Sequence, residues 1–322
     1  MIKQPAETPI LDATGVSKRF GAVLALKDAA LQVRRGEIVA LMGANGAGKS
    51  TLVKILTGAL RRDGGQIRMK GRDSQFGSPG AARRAGLVPV YQEPSLIPDL
   101  DVSDNLRLGN TPPDAFRHWV AELGITDLAM TDMIRALPLA TLRILDLARA
   151  LAVQPDVLML DEMTAALPTD LVERVLRVVR GQADSGRSVI YISHRFTEIA
   201  AICDRACVLR DGVTVGDVKI EPGIEDRIVE LMLGGAVSPP AARAPQRHLT
   251  ESTRPPRLRV DGLRAGARLT DVSLTLRQGE VLGVVALEGQ GQDELFDVLA
   301  GNRRAQSGTV AVDGTVLVFS HP

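Results

Sequence analysis

The residues with the most chemistry in their spacing are Gly43-Ala44-Asn45-Gly46-Ala47-Gly48-Lys49-Ser50-Thr51. They fit the pattern G-x-x-x-x-G-K-[ST]. Gly43, Gly46 and Gly48 allow the backbone to wrap closely around phosphate oxygens. The backbone N–H groups and the start of a following helix then face the anion. Lys49 adds a full positive charge, and Ser50 offers a hydroxyl to Mg2+. A second constellation is Asp161-Glu162, which ends the apolar run Val157–Leu160. An Asp at the C-terminal edge of a strand can hold Mg2+ directly or through water. Glu162 is then placed to orient or deprotonate a water that attacks a terminal phosphate. A third is Ser193-His194, after the run Val189–Ile192. A histidine there can hydrogen-bond both the terminal phosphate and the attacking water. His118, His248 and His321 lack such a setting and read as surface residues.

These groups need a frame that brings them together. Ile38–Met42 is apolar and reads as a buried strand before the glycine loop. Lys49 to Leu60 carries Leu52, Val53, Ile55, Leu56 and Leu60 at helical spacing. Strand-length apolar runs recur at Val157–Leu160, Val189–Ile192 and Cys207–Leu209. Helical patterns lie between them, notably Leu142–Leu151 and Leu171–Arg180. Strands alternating with helices predict a mostly parallel sheet with helices on its faces. Such strands are buried on both sides, so they are continuous rather than alternating. Asp211-Gly212 predicts a tight turn after Cys207–Leu209.

Composition narrows the function. Lys plus Arg number 39 and Asp plus Glu 38 in 322 residues. That balance argues against a nucleic acid held by bulk charge, and aromatics at 3% leave little stacking surface for bases. No apolar run approaches the roughly 20 residues that cross a bilayer, and Met1 to Ile10 has no apolar core of a signal peptide. The expectation is a cytosolic protein, or one bound to a membrane through another protein. Cys203 and Cys207 make no disulfide framework and read as buried thiols.

The chain also repeats itself. Gly234 to Arg257 is rich in Pro, Ala and Arg, has no apolar period and reads as a linker. After it, Leu269–Val272 through Gln278-Gly279-Glu280-Val281 echoes Val16–Lys18 through Arg35-Gly36-Glu37-Ile38. Each copy predicts an apolar strand, a glycine loop, and a helix ending at Thr57-Gly58 or Ala300-Gly301. Gly-Gly-Gln-Ile or Ser-Gly-Thr-Val follows, then a turn at Gly71 or Gly314. The expected division is a full nucleotide domain over 1–234, a linker over 235–257, and the opening of a second domain over 258–322.

In this order the motifs resemble one family, the ATP-binding cassette (ABC) ATPases. Gly43 to Thr51 corresponds to its Walker A motif, Leu158 to Asp161 to Walker B and His194 to its switch histidine. Gln92, in Val90-Tyr91-Gln92-Glu93-Pro94, falls at the Q-loop, and Phe20 falls where the family stacks an aromatic on adenine. Taken alone, Gln92 reads as a surface loop residue and Phe20 as core packing. Closer similarity is to the tandem ATPase subunits of bacterial importers of monosaccharides such as ribose, xylose and galactose. Gln92–Leu100, Asp161–Leu167, Tyr191–Arg195, Cys203–Gly212 and the loop Leu287–Leu295 carry that likeness.

The resemblance implies an α/β P-loop NTPase fold with a mostly parallel core sheet, an antiparallel β subdomain and a short helical subdomain. It implies ATP and Mg2+ as ligands. Glu162, His194 and Gln92 would then be catalytic, Ser50, Asp161 and Gln92 would hold the metal, and Phe20 and Gly43 to Thr51 would bind nucleotide. The expected partners are integral membrane permease subunits, indirectly a solute-binding protein, and a second ATPase domain or subunit. No nucleic acid is expected. The expected place is the cytoplasmic face of the inner membrane, peripherally bound. Alternative readings are a non-catalytic nucleotide-binding member of the family and a soluble, non-transport member.

Several positions depart from the family pattern. Its signature, usually Leu-Ser-Gly-Gly-Gln, is replaced by Leu137-Pro138-Leu139-Ala140-Thr141. Pro138 lacks the serine hydroxyl, and Ala140 adds a methyl where close backbone approach is wanted. A proline in the first helical turn leaves the helix intact. Met163 stands where proline is usual, and the stretch from Gln92 to Leu137 is shorter than usual. In the second copy, Gly289–Asp293 aligns with Gly46–Ser50, so Gln292 takes the lysine position and Asp293 the serine position. A unit charge pair 4 Å apart is worth about 4 kcal/mol at an effective dielectric of 20, so the second loop is expected to bind ATP poorly.

Overall fold

The computed structural model describes residues 8–165, 167–235, 254–285 and 291–317. The chain divides into two compact units, Met1–Ser238 and Pro239–Pro322. Pro239, Pro240 and Pro245 of the predicted linker lie outside the described residues, as do 286–290 of the second loop.

The first unit opens with β1 (Leu11–Phe20), β2 (Val23–Val33) and β3 (Ile38–Met42). Then come α1 (Lys49–Leu56), β4 (Gly64–Met69), β5 (Arg72–Asp73), α2 (Pro79–Ala85) and β6 (Leu87–Val90). Helices α3 (Val102–Leu108), α4 (Pro113–Glu122) and α5 (Leu139–Ala152) lead to β7 (Val157–Asp161) and α6 (Thr169–Asp184). The unit closes with β8 (Ser188–Ile192), α7 (Phe196–Ile202), β9 (Arg205–Arg210), β10 (Val213–Lys219) and α8 (Glu225–Leu233).

All ten strands form one sheet, in the order β5-β4-β1-β2-β10-β9-β3-β8-β7-β6. From β9 to β6 the neighbours run parallel. From β5 to β2 they run antiparallel. The fold class is therefore the expected one, with α3 and α4 as the short helical part.

Every residue of β3 and β8 is buried. Alternate residues serve opposite faces. Ile38, Ala40 and Met42 join one core with the α5 residues Ile144, Leu147 and Leu151 and the α6 residues Val175 and Val179. Val39 and Leu41 join the other with Leu52, Val53, Ile55 and Leu56 of α1. This is why the strands read as continuous apolar runs.

Helix α1 is shorter than its apolar pattern. It ends at Leu56, because Gly58 turns left-handed at φ 74°. Leu60 is held instead by its N–H donating to Lys54 O. Asp211-Gly212 does form the predicted turn, at φ 50° and 78°. It leads into a further strand, β10, antiparallel to β9. Pro138 is the residue just before α5, in extended conformation, with no side-chain cap.

The second unit holds β11 (Pro256–Ala265), β12 (Leu269–Arg277), α9 (Gln292–Leu299), β13 (Ser307–Val312) and β14 (Thr315–Val316). Its four strands make a separate antiparallel sheet, β12-β11-β13-β14. The repeat is visible in the backbone. Gly36, Gly48, Gly58, Gly65 and Gly71 have left-handed φ, and so do Gly279, Gly291, Gly301, Gly308 and Gly314 at the same spacing. Glu37 Oε2 accepts from Arg34 N–H at 2.8 Å, and Glu280 Oε2 from Arg277 N–H at 2.7 Å.

One expectation fails in this unit. Val281 to Val285 forms no strand, and Val281 and Val285 are 97% and 96% exposed. Its counterpart β3 is held between β8 and β9. Among the described residues no strand of the second unit pairs with residues 281–285, so the apolar run has nothing to lie against. Among the described residues, no helix is long and apolar enough to cross a membrane.

Candidate functional site

The glycine loop leaves the C-terminal edge of β3 and closes onto α1. Gly48 caps α1 in left-handed conformation, φ 105°. A Cβ there would meet Leu26 Cδ2 at 2.6 Å and Ala25 O at 2.8 Å, so glycine is required on two counts. The loop is pinned to the sheet because Gly212 N–H donates to Ala47 O at 3.0 Å. Ala47 is buried. Lys49 folds back over the loop, and its Nζ donates to Gly43 O at 2.6 Å and to Ala44 O at 3.1 Å.

A cleft of about 660 Å³ opens beside the loop. Asn45, Gly46, Lys49, Ser50 and Thr51 line it, and so do Gln92, Asp161 and Glu162. A second hollow that shares Lys49 is lined by Gly43, Glu162, Ser193 and His194. The structure thus brings together the residues from four separate stretches of sequence. Phe20 is not in the lining. It ends β1, is 48% exposed, and has Lys18 Nζ 5.6 Å from its ring centroid. Val23 and Leu24, just after it, do line the cleft.

Each contributor is fixed by its own element. Gln92 follows β6, in a loop anchored where Asp146 of α5 accepts from Ser95 N–H at 3.0 Å. A little further on, Asn105 of α3 accepts from Ile97 N–H at 2.8 Å. Asp161 is the last residue of β7, paired with Ile192 of β8. Glu162 comes next in left-handed conformation, φ 48°. For a non-glycine residue this costs on the order of 1–3 kcal/mol. The surroundings hold it there. Glu162 N–H donates to Ile192 O at 2.9 Å. Arg143, buried on α5, donates through Nη1 to Met163 O at 3.1 Å and Glu162 O at 3.4 Å. His194 Nδ1 lies 3.4 Å from Glu162 Oε1.

The electrostatics suit a cation. Burial, reinforced by the neighbouring Glu162 and opposed by Lys49, pushes the Asp161 carboxyl above its usual range. Burial lowers Lys49, against the pull of Glu162 and Asp161. Adjacent acids in a half-buried cleft are relieved by a divalent ion. Among the described residues no group of three or more His, Cys, Asp or Glu forms a metal cage. A Mg2+ that keeps waters and takes phosphate oxygens needs only one or two carboxylates.

Arg143 and Glu198 are among the buried polar groups of this region that escaped the sequence reading. Both sit on the buried faces of helices, beside Leu147 on α5 and Ile202 on α7. A charged residue in phase with an apolar stripe is the cue that would have found them.

Known proteins bear on this arrangement. Residues 26–165 match the family described as ABC transporter. A ribose import ATP-binding protein, RbsA 1, of Mesorhizobium japonicum is 38% identical over 98% of this chain. The ribose import ATP-binding protein RbsA of Halalkalibacterium halodurans is 36% identical over 97% of it. The chain spans 63% and 64% of those two proteins, less than two thirds of either. A solved nucleotide-free ATP-binding cassette from an ABC transporter superposes with a TM-score of 0.62 at 22% identity. It covers 70% of this chain and 98% of its own. That likeness speaks for the fold. With the glycine loop, the acidic strand end and the strand-end histidine gathered around Lys49, the chain has the fold of an ATP-binding cassette and resembles ribose import ATP-binding proteins over nearly its whole length.

Proposed function

We propose that the chain binds and hydrolyses ATP to energise import of a sugar or sugar-like solute through separate membrane subunits. The observation that carries this is the convergence of Lys49, Ser50, Gln92, Asp161 and Glu162 on one cleft, with His194 at its edge. The likeness to ribose import ATP-binding proteins supports the sugar class. In this reading the chain works on the cytoplasmic face of the membrane against integral permease subunits, which a solute-binding protein supplies. The assigned parts are an ATPase domain over 1–234, a linker over 235–257 and a degenerate second domain begun at 258–322.

The residues divide the labour. The loop from Gly43 to Thr51 cradles the phosphates, and Lys49 exchanges its two carbonyl partners for phosphate oxygens. Ser50, Asp161 and Gln92 would hold Mg2+, which would supply charge neutralisation at the phosphates. Glu162 orients and deprotonates the attacking water. His194 hydrogen-bonds that water and the terminal phosphate, and Phe20 offers its ring to adenine.

In this family each ATP lies between one phosphate loop and the opposite signature. The signature position at Leu137–Thr141 and the loop at Gly289–Asp293 both depart from the family pattern, which leaves one intact phosphate loop. The intact loop would need a signature from another segment or subunit, so the chain alone binds MgATP and hydrolyses it slowly. Calorimetry with MgATP on wild type and Lys49→Ala tests the binding. Equal affinities would end this reading. Glu162→Gln is expected to keep ATP and lose turnover, which separates an ATPase from a nucleotide sensor. Turnover by the isolated chain at ordinary enzyme rates, roughly 1–1000 per second, would refute the one-working-site reading.

A further inference from the structure

Glu198 lies outside both hollows beside Lys49, yet it is among the most heavily bonded side chains near them. It stands in the first turn of α7 and is 4% exposed. Its Oε2 accepts from Thr164 Oγ1 at 2.8 Å, Tyr191 OH at 2.7 Å and Ser193 Oγ at 3.1 Å. Its Oε1 accepts from Arg195 Nη1 at 3.2 Å. Four donors therefore converge on one buried carboxylate. Such a group is costly to bury unless bonded in this way.

The donors come from two places. Thr164 is two residues after Glu162, in the turn that leaves β7. Ser193 and Arg195 flank His194, in the turn that leaves β8. The same two turns are linked again where Arg195 Nη2 approaches Ala165 O at 3.4 Å. Between them, Glu162 is held at φ 48°, and His194 Nδ1 sits 3.4 Å from its carboxylate. A backbone in that region returns to an ordinary conformation unless its neighbours over-determine it.

We infer that Glu198 is a positioning residue that fastens the Glu162 turn to the His194 turn and so sets the geometry of the hydrolytic pair. The inference rests on the roles proposed above for Glu162 and His194. Glu198 touches neither nucleotide nor water in this scheme. It acts through Thr164 on one side and Ser193 and Arg195 on the other. A misplacement of about 1 Å at a catalytic group can cost on the order of a hundredfold in rate. Loss of Glu198 should therefore strike turnover and spare nucleotide affinity.

The test uses the full chain. Single-turnover hydrolysis and MgATP affinity are measured for wild type, Glu198→Ala, Glu198→Gln, Thr164→Val and a core control, Val179→Ala. In parallel the NMR signals of the His194 ring nitrogens are recorded. Glu198→Ala is expected to slow turnover about 10- to 100-fold with affinity within threefold. Glu198→Gln, which keeps one acceptor, should lose less. Thr164→Val should slow turnover alone and add little in the Glu198→Ala background, since both remove the Thr164–Glu198 bond. The His194 ring signals should move in Glu198→Ala and Thr164→Val and stay in place in Val179→Ala. The inference is overturned if Glu198→Ala slows turnover no more than Val179→Ala, or if the His194 signals do not respond to Glu198→Gln and Thr164→Val. A wild-type chain that binds no MgATP would instead sink the ATPase reading, and the ring signals would still decide the role of Glu198.

Discussion

The two copies of the strand-loop-helix unit share a backbone and differ in what surrounds it. Both have a left-handed glycine at the helix cap, φ 105° at Gly48 and 99° at Gly291. Both lock the preceding turn with a glutamate that accepts from the backbone N–H three residues before it. The first copy then sets its apolar strand between β8 and β9 and starts its helix with Lys49 and Ser50. Among the described residues the second pairs 281–285 with no strand, and it starts its helix with Gln292, Asp293 and Glu294. A helix N-terminus favours negative charge. In α9 its own side chains already supply that charge. Local geometry is thus common to both copies, and competence needs the right first turn and long-range strand partners.

Substitutions at equivalent positions can break this comparison. The largest effect is expected at the lysine position. Lys49→Ala should weaken MgATP binding at least tenfold, and Gln292→Ala should leave it unchanged, both read by calorimetry. The reverse graft sharpens the point. Gln292→Lys with Asp293→Ser is expected to create no second binding event in the same titration, because residues 281–285 beside that loop form no strand. A second stoichiometric site would show that charge alone had disabled it.

Core truncations come next. Leu52→Ala in α1 should cost about 2–5 kcal/mol of the first unit's stability. Trp119, Tyr91 and Tyr191 all lie in the first unit, so aromatic fluorescence in urea follows that unit alone. Leu295→Ala in α9 should leave the fluorescence transition unmoved and appear only in far-UV dichroism.

The smallest effect concerns pH. Burial raises the Glu37 carboxyl, but the bonds from Arg205 and from Arg34 N–H outweigh it and hold it below its ordinary value of 4.5. A depressed acid adds stability that is fully present above that value and fades as pH falls through the lower folded value. The first unit should lose urea resistance below about pH 4.5, and Glu37→Gln should lose less over the same window.

Much of this was legible from residue order because its signals are local. The glycine loop, the apolar β3 and the acids ending β7 announce themselves within a few residues of one another. The exposure of residues 281–285 was not legible, since Val281–Val285 is as apolar as Ile38–Met42. The difference lies in partners contributed far along the chain, which periodicity does not record. Glu198 was missed for a related reason. Three of its four donors lie within seven residues, but the bond that matters for Glu162 crosses from the β7 turn to α7. Phe20 shows the converse, a residue named by resemblance that stands outside the cleft lining, which Val23 and Leu24 just after it enter.

The position of β3 in the sheet has a consequence for how the molecule is made. Its two flanking strands, β8 and β9, leave the ribosome long after it does. At roughly 5–20 residues per second, β3 waits on the order of ten seconds before its neighbours exist. The glycine loop after β3 is therefore among the last parts of the first unit to assemble, though it is made well before β8 and β9.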